Sequence, residues 1–84
     1  MPDKITPFEW KHIEQHHYEC RWNGFRLVAN QDIWKVEWNG FIRQGTPRVS
    51  PGIRVSAKVR ATASRANAEA AAYRQFLKGG QGNE

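Results

Sequence analysis

The sequence predicts an α+β fold, in which an antiparallel sheet of β-hairpins carries a C-terminal helix packed on one face. Three features predict it. The tetrapeptide Trp-Asn-Gly-Phe occurs twice, at 22–25 and 38–41, residues 53–61 alternate between apolar and polar side chains, and an alanine-rich segment with helical spacing follows over 64–78. A short N-terminal helix would complete an α-β-β-β-α order.

The segment "TPFEW" at 6–10 has the features of a helix N-terminus: a Thr that can cap it, a Pro in the first turn and a Glu in the capping-box position. We therefore expect a short helix of about two turns, with Trp10 and Ile13 on one face. The same residues also fit a strand, in which Phe8, Trp10 and His12 would alternate.

Each copy of the repeated tetrapeptide predicts a hairpin, because Asn-Gly is the preferred pair for a two-residue turn with positive φ at both positions. A turn at 23–24 pairs Trp22 with Phe25 and Cys20 with Leu27. The side chains that this register places on the core face are Tyr18, Cys20, Trp22, Phe25 and Leu27 in the first hairpin, and Trp34, Val36, Trp38 and Phe41 in the second. The repeat is thus interpreted as packing at turns rather than as a recognition code.

The stretch "IRVSAKVRA" at 53–61 predicts a strand with one buried and one water-exposed face. Its polar side would carry Arg54, Ser56, Lys58 and Arg60. A helix then follows, with Ser64 as its N-cap and Gly79 and Gly80 at its end.

The chain has 84 residues, enough for one domain over 1–78 with a flexible tail over 79–84. Its single cysteine, Cys20, cannot form an internal disulfide and is expected to be buried in a reducing compartment. No apolar run approaches the roughly 20 residues that cross a bilayer, and the N-terminus lacks the layout of a signal peptide. We expect a cytoplasmic protein without membrane association.

Three histidines lie close together, at His12, His16 and His17, near Glu9 and Cys20. On a helix, His12 and His16 would be one turn apart and could share a zinc ion, but a site needs further ligands. We expect surface histidines, and neither a metal nor another cofactor. An activated nucleophile, paired catalytic carboxylates and a phosphate-binding loop are also missing from the sequence, so we expect no enzymatic activity.

The net charge of +5 is unevenly distributed, since residues 41–84 hold eight Lys and Arg against two acids. This asymmetry favours an acidic or polyanionic partner, although a water-exposed sheet face must be polar in any case. We predict a basic binding module whose sheet face engages the phosphates of nucleic acid, or else an acidic or nucleic-acid-binding protein. The predicted binding residues are Arg43, Arg48, Arg54, Lys58, Arg60 and Arg65. Outward-facing Val28 and Ile42 also fit a homodimer.

The order of elements resembles that of the double-stranded-RNA-binding domain, whose last helix begins with a Ser-Lys-Lys-x-Ala-Lys pattern. The likeness covers about the last fifty residues. Arg65 falls on the first Lys of the pattern and Ala68 on its Ala, while Ala66 and Glu69 replace the other two basic residues. Those lysines grip phosphates in that family, so the resemblance implies its layout more than its RNA-binding mode.

The Trp-rich hairpin followed by "SRANAEAAAYRQFL" also looks like small proteins encoded by phages and prophages. Some anti-CRISPR proteins and other phage-borne inhibitors are similar in size and in being single α+β domains. This resemblance implies a second possible function, inhibition of a bacterial host or defence complex by protein–protein binding.

Overall fold

The computed structural model describes residues 8–49 and 54–80, which form one antiparallel sheet with a long helix packed on it. The strands are β1 (Lys11–Glu14), β2 (His17–Trp22), β3 (Phe25–Ala29), β4 (Trp34–Trp38) and β5 (Phe41–Gly45), and the helix is α1 (Ala57–Gln75), which continues into a π-helical segment at Phe76–Gly80. The strands lie in chain order, so β1 and β5 are the sheet edges. The predicted α+β class is confirmed.

Both Asn-Gly hairpins form as predicted. Trp22 pairs with Phe25 across the first turn, and Trp38 pairs with Phe41 across the second. The two residues of each turn have positive φ, 49° and 86° at 23–24 and 43° and 90° at 39–40. These values lie in the left-handed region that Asn and Gly adopt most readily, which explains why the chain uses the same pair twice.

The core lies between the sheet and α1. Leu27 and Val36 are fully buried in the middle of the sheet, in one apolar cluster with alanines of the helix. Trp22 anchors one end of this cluster, with its ring centroid 4.5 Å from that of Phe8 and 5.1 Å from that of Phe76. Cys20 is buried in the same cluster, as predicted. The small alanines allow the helix to approach the sheet closely.

The strand predicted for 53–61 is wrong over its described part, because α1 begins at Ala57. Residues four apart lie on the same face of a strand and also on the same side of a helix. Ala57 and Ala61 are four apart, and Ser64 and Ala68 extend the same side of the helix. The last three of these are buried. Val59 instead faces water and is 48% exposed. The segment is therefore helical, because a helix buries this row of small residues against the sheet, although the apolar and polar residues alternate as in a strand.

The predicted N-terminal helix is also wrong within the described residues. Phe8 to Trp10 are not helical, and the next residues form β1. Lys11 and His12 pair with Glu19 and Tyr18 of β2 around a turn in which His16 has a φ of 57°. The ring of Phe8 packs on the sheet instead of on a helix face. Residues 1–7 lie outside the described part of the chain.

The end of the helix is partly described. The π-helical segment includes Gly79 and Gly80, where the flexible tail was expected to begin, and residues 81–84 lie outside the described part. Phe76 is the first residue of the segment, and its ring packs against that of Trp22. This contact attaches the start of the segment to the core.

Of two serines at and within the helix, we expect Ser56 to stabilise the fold and Ser64 to destabilise it. Ser56 is the N-cap, and its Oγ accepts a hydrogen bond of 3.2 Å from the Val59 N–H. The Oγ of Ser64 is completely buried and has no hydrogen-bond partner among the described residues. Ser56→Ala should lower the free energy of unfolding by about 1 kcal/mol, and Ser64→Ala should raise it by about 1 kcal/mol.

Urea unfolding followed by far-UV circular dichroism measures both changes. A loss of stability in Ser64→Ala as large as that in Ser56→Ala would show that the buried hydroxyl has a partner after all.

Candidate nucleic-acid interface

A groove lies between the edge strand β5 and the helix. Because α1 packs mainly on β3 and β4, it leaves the helix-facing side of β5 only partly covered. The resulting groove has a volume of about 500 Å³, with β5 and the loop after it on one side and the middle and end of α1 on the other. A smaller hollow of about 120 Å³ adjoins it towards Lys78.

Four cations line these two cavities. Arg43 stands opposite Val36 in the β4–β5 register, and therefore projects from the face that carries the core. Arg48 follows in the loop, Arg74 lies near the end of α1, and Lys78 lies one turn further on. We call the two cavities with these four side chains the basic groove. None of its described lining residues is acidic.

The floor and walls of the groove are held in place by specific contacts. The indole of Trp34 lies against Gly45, where a Cβ would be only 3.0 Å from the ring, and the indole Nε1 donates to the Thr46 carbonyl at 3.3 Å. The Arg48 N–H donates to Asn67 Oδ1 at 3.3 Å, which ties the loop to α1. The groove is therefore a built feature of the fold.

The structure does not bring the six predicted binding residues together. Arg43 and Arg48 line the basic groove. Arg54 lies before α1, outside any helix or strand, and Lys58 lies in the first turn of the helix; both are exposed. The predicted basic sheet face is therefore wrong, because Lys58 and Arg60 lie on a helix and Arg54 lies in no strand.

The remaining two predicted residues have partners within the chain. Arg60 donates to the Gln31 carbonyl at 3.2 Å and to the Asp32 carboxylate at 3.3 Å. The guanidinium of Arg65 lies 4.1 Å from the centroid of the Tyr18 ring, in cation–π geometry. Arg60 thus connects the helix to the β3–β4 loop, and Arg65 connects it to β2.

Sequence reasoning missed Arg74 and Lys78. These residues are four apart near the end of the helical pattern, so they share a side of the helix. That spacing was a usable signal. It becomes informative only once the direction of α1 across the sheet is known.

The open face of the sheet carries a network of ion pairs. Arg26 contacts Glu19 at 3.1 Å and Glu37 at 3.5 Å, and Lys35 contacts Glu37 at 2.7 Å. The hydrogen bond from Lys35, helped by the charge of Arg26, holds the pKa of Glu37 below its ordinary value of 4.5, while desolvation opposes this shift. These ion pairs neutralise Arg26 and Lys35, whereas Arg21 on the same face has no ion pair among the described residues.

The histidine cluster is dispersed by the strand at the N-terminus. His12 packs its ring on Tyr18 from β1, with centroids 4.9 Å apart, while His16 lies in the following turn. His17 lies 3.9 Å from a carboxylate oxygen of Glu14. Within residues 8–49 and 54–80, no three His, Cys, Asp or Glu side chains come together in a way that could hold a metal ion.

The stretch "SRANAE", which carries the resemblance to the RNA-binding domain, lies in the middle of α1 and not at its start. Ser64 and Ala68 are buried against the sheet. Glu69, at a position that is basic in that family, accepts a hydrogen bond of 2.7 Å from the Trp10 indole. In this chain, the hydrogen bond of Glu69 links the segment before β1 to the helix.

Comparisons with protein-family models, with curated proteins and with solved structures found no match to this chain. In the part of the chain that the structure describes, no helix combines the length and the apolar character needed to cross a membrane.

Proposed function

We propose that this protein is a non-enzymatic binding module that engages the phosphates of nucleic acid through the basic groove. The observation that carries the proposal is the convergence of cations from β5, the following loop and the end of α1 on one groove, without an acidic lining residue. Lys and Arg side chains placed in this way bind a phosphate backbone electrostatically and with little dependence on sequence.

Some of the positive charge outside the groove is already neutralised by ion pairs. Arg26, Lys35 and Arg60 each contact an acidic side chain. The four groove cations make no ion pair with any acid in the described residues, and they differ from other unpaired cations, such as Lys11 and Arg21, in that they line one groove together. Cations held together without counter-charges repel one another, and a bound polyanion would relieve that repulsion.

The direct test is binding of labelled nucleic acid, measured by fluorescence anisotropy at about 50 and 200 mM salt. The variant Arg43→Ala/Arg74→Ala removes one cation from each wall of the groove. We expect it to lower the affinity by about 10- to 100-fold at low salt, and to reduce the slope of log K against log salt by about 1.5 to 2.

The matched control is Arg54→Ala/Lys58→Ala, which removes the same net charge from exposed positions outside the groove. We expect it to change the affinity by less than about threefold. An equal loss in both variants would show that net charge alone drives binding. If wild-type protein binds no nucleic acid at low salt, the proposal fails and a protein partner, as for a phage-type inhibitor, becomes the leading function.

A further inference from the structure

The size of the basic groove restricts which nucleic acid can enter it. Its volume of about 500 Å³ is within the range of about 300–1,000 Å³ that is typical of pockets for small ligands. A groove of this size can admit single nucleotides of an extended chain. A duplex is much wider, and would touch only the rims of the groove.

The outer surface of α1 is unsuited to the usual duplex-binding mode, in which a helix enters the major groove while cations contact the flanking phosphates. The side chains opposite the buried stripe of α1 and its extension are uncharged: Val59, Thr62, Ala66, Ala70, Tyr73 and Leu77. Arg74 and Lys78 lie on the flank that faces β5 instead. Phosphates would therefore meet these cations at the groove and not along the outer surface of the helix.

The edge of β5 offers main-chain groups beside the same cations. The two-residue turn makes Trp38 and Phe41 a hydrogen-bonded pair, in which each backbone bonds to the other. In an antiparallel ladder only every second pair is hydrogen-bonded in this way, and the residues between them direct their N–H and C=O groups away from the partner strand. The N–H and C=O groups of Ile42 and Gln44 therefore point out of the edge. They have no partner among the described residues. Unpaired bases can bond to such groups, whereas the Watson–Crick edges of paired bases are already occupied.

From this arrangement we propose that the basic groove binds single-stranded nucleic acid, with the strand running along the edge of β5. Arg43, Arg74 and Lys78 contact its phosphates from the two walls. Bases contact the outward main-chain groups of β5. The indole of Trp34 is almost fully buried, so stacking adds little and we expect weak sequence preference. This inference rests on the proposed function.

The test compares one labelled strand of about ten nucleotides, as DNA and as RNA, with the same strand annealed to its complement. At about 100 mM salt, we expect the single strand to bind at least 10-fold more tightly than the duplex. Arg43→Ala/Arg74→Ala should abolish this preference. Gln44→Pro should weaken single-strand binding several-fold and leave duplex binding unchanged, because it removes an outward N–H and not one that pairs with β4.

The possible outcomes separate this inference from the proposed function. A duplex that binds as well as the single strand, and loses affinity in Arg43→Ala/Arg74→Ala, overturns the single-strand inference but leaves the groove as a phosphate site. A single-strand preference that survives the double substitution overturns it as well, because the strand then binds elsewhere. Absence of binding to every nucleic acid overturns both proposals. The wild-type comparison decides these cases even if Gln44→Pro does not fold.

Discussion

Trp22→Ala is expected to be among the most destabilising single substitutions in this chain. Trp22 is only 8% exposed, and its ring contacts those of Phe8, Phe25 and Phe76 with centroids 4.5, 5.7 and 5.1 Å apart. Removing a buried Trp costs about 3–5 kcal/mol through lost transfer energy and the cavity left behind. Small domains have a total stability of about 5–15 kcal/mol, so we expect this one substitution to remove a large share of it.

The repeated tetrapeptide supplies the control. Trp38 holds the same place in the second hairpin, but it is only partly buried and stacks on a single core ring, that of Phe25, at 5.0 Å. Trp38→Ala should therefore cost clearly less, by about 1–3 kcal/mol. Urea unfolding of both variants gives the comparison. Equal losses would mean that the aromatic cluster around Trp22 is not the anchor of the core.

Gly24→Ala is expected to have the next largest effect, and a larger one than the same change at Gly40. Both glycines have a φ near 90°, where any Cβ costs about 1–2 kcal/mol. A Cβ at Gly24 would also lie 3.2 Å from the indole nitrogen of Trp38, whereas nothing lies within 4 Å of one at Gly40. We expect losses of about 2–4 kcal/mol at Gly24 and about 1–2 kcal/mol at Gly40.

A double-mutant cycle separates steric contact from backbone strain. In a Trp38→Ala background the indole is gone, so Gly24→Ala should cost no more than Gly40→Ala does in the wild-type chain. If Gly24→Ala remains the more costly in that background, the contact with the indole is not the source of the difference.

The sequence predicts the hairpins well because their signal is local. An Asn-Gly pair specifies its turn, the turn specifies the register, and the register specifies which residues face the core. The start of α1 carries no such unique signal. Ala57 and Ala61 satisfy an alternating pattern and a helical one equally, and only the continuation of the buried stripe past Ser64 decides between them.

The groove is harder to predict because its parts are distant in the chain. Arg43 and Arg48 were found from their charge, but their association with Arg74 depends on the direction in which α1 crosses the sheet. Arg54, Lys58 and Arg60 do not share a sheet face, because the segment predicted to be a strand contains the start of α1. A charge pattern locates a binding surface only when the secondary structure beneath it is correct.

The order of the strands also bears on how the nascent chain acquires its structure. Each strand pairs with the one just synthesised, so the sheet can form by successive hairpins that require only short loops to close. The helix that covers the sheet is made afterwards. Until it leaves the ribosome, the apolar face around Leu27 and Val36 has no cover, and this interval is when the chain is most prone to aggregate or to recruit a chaperone.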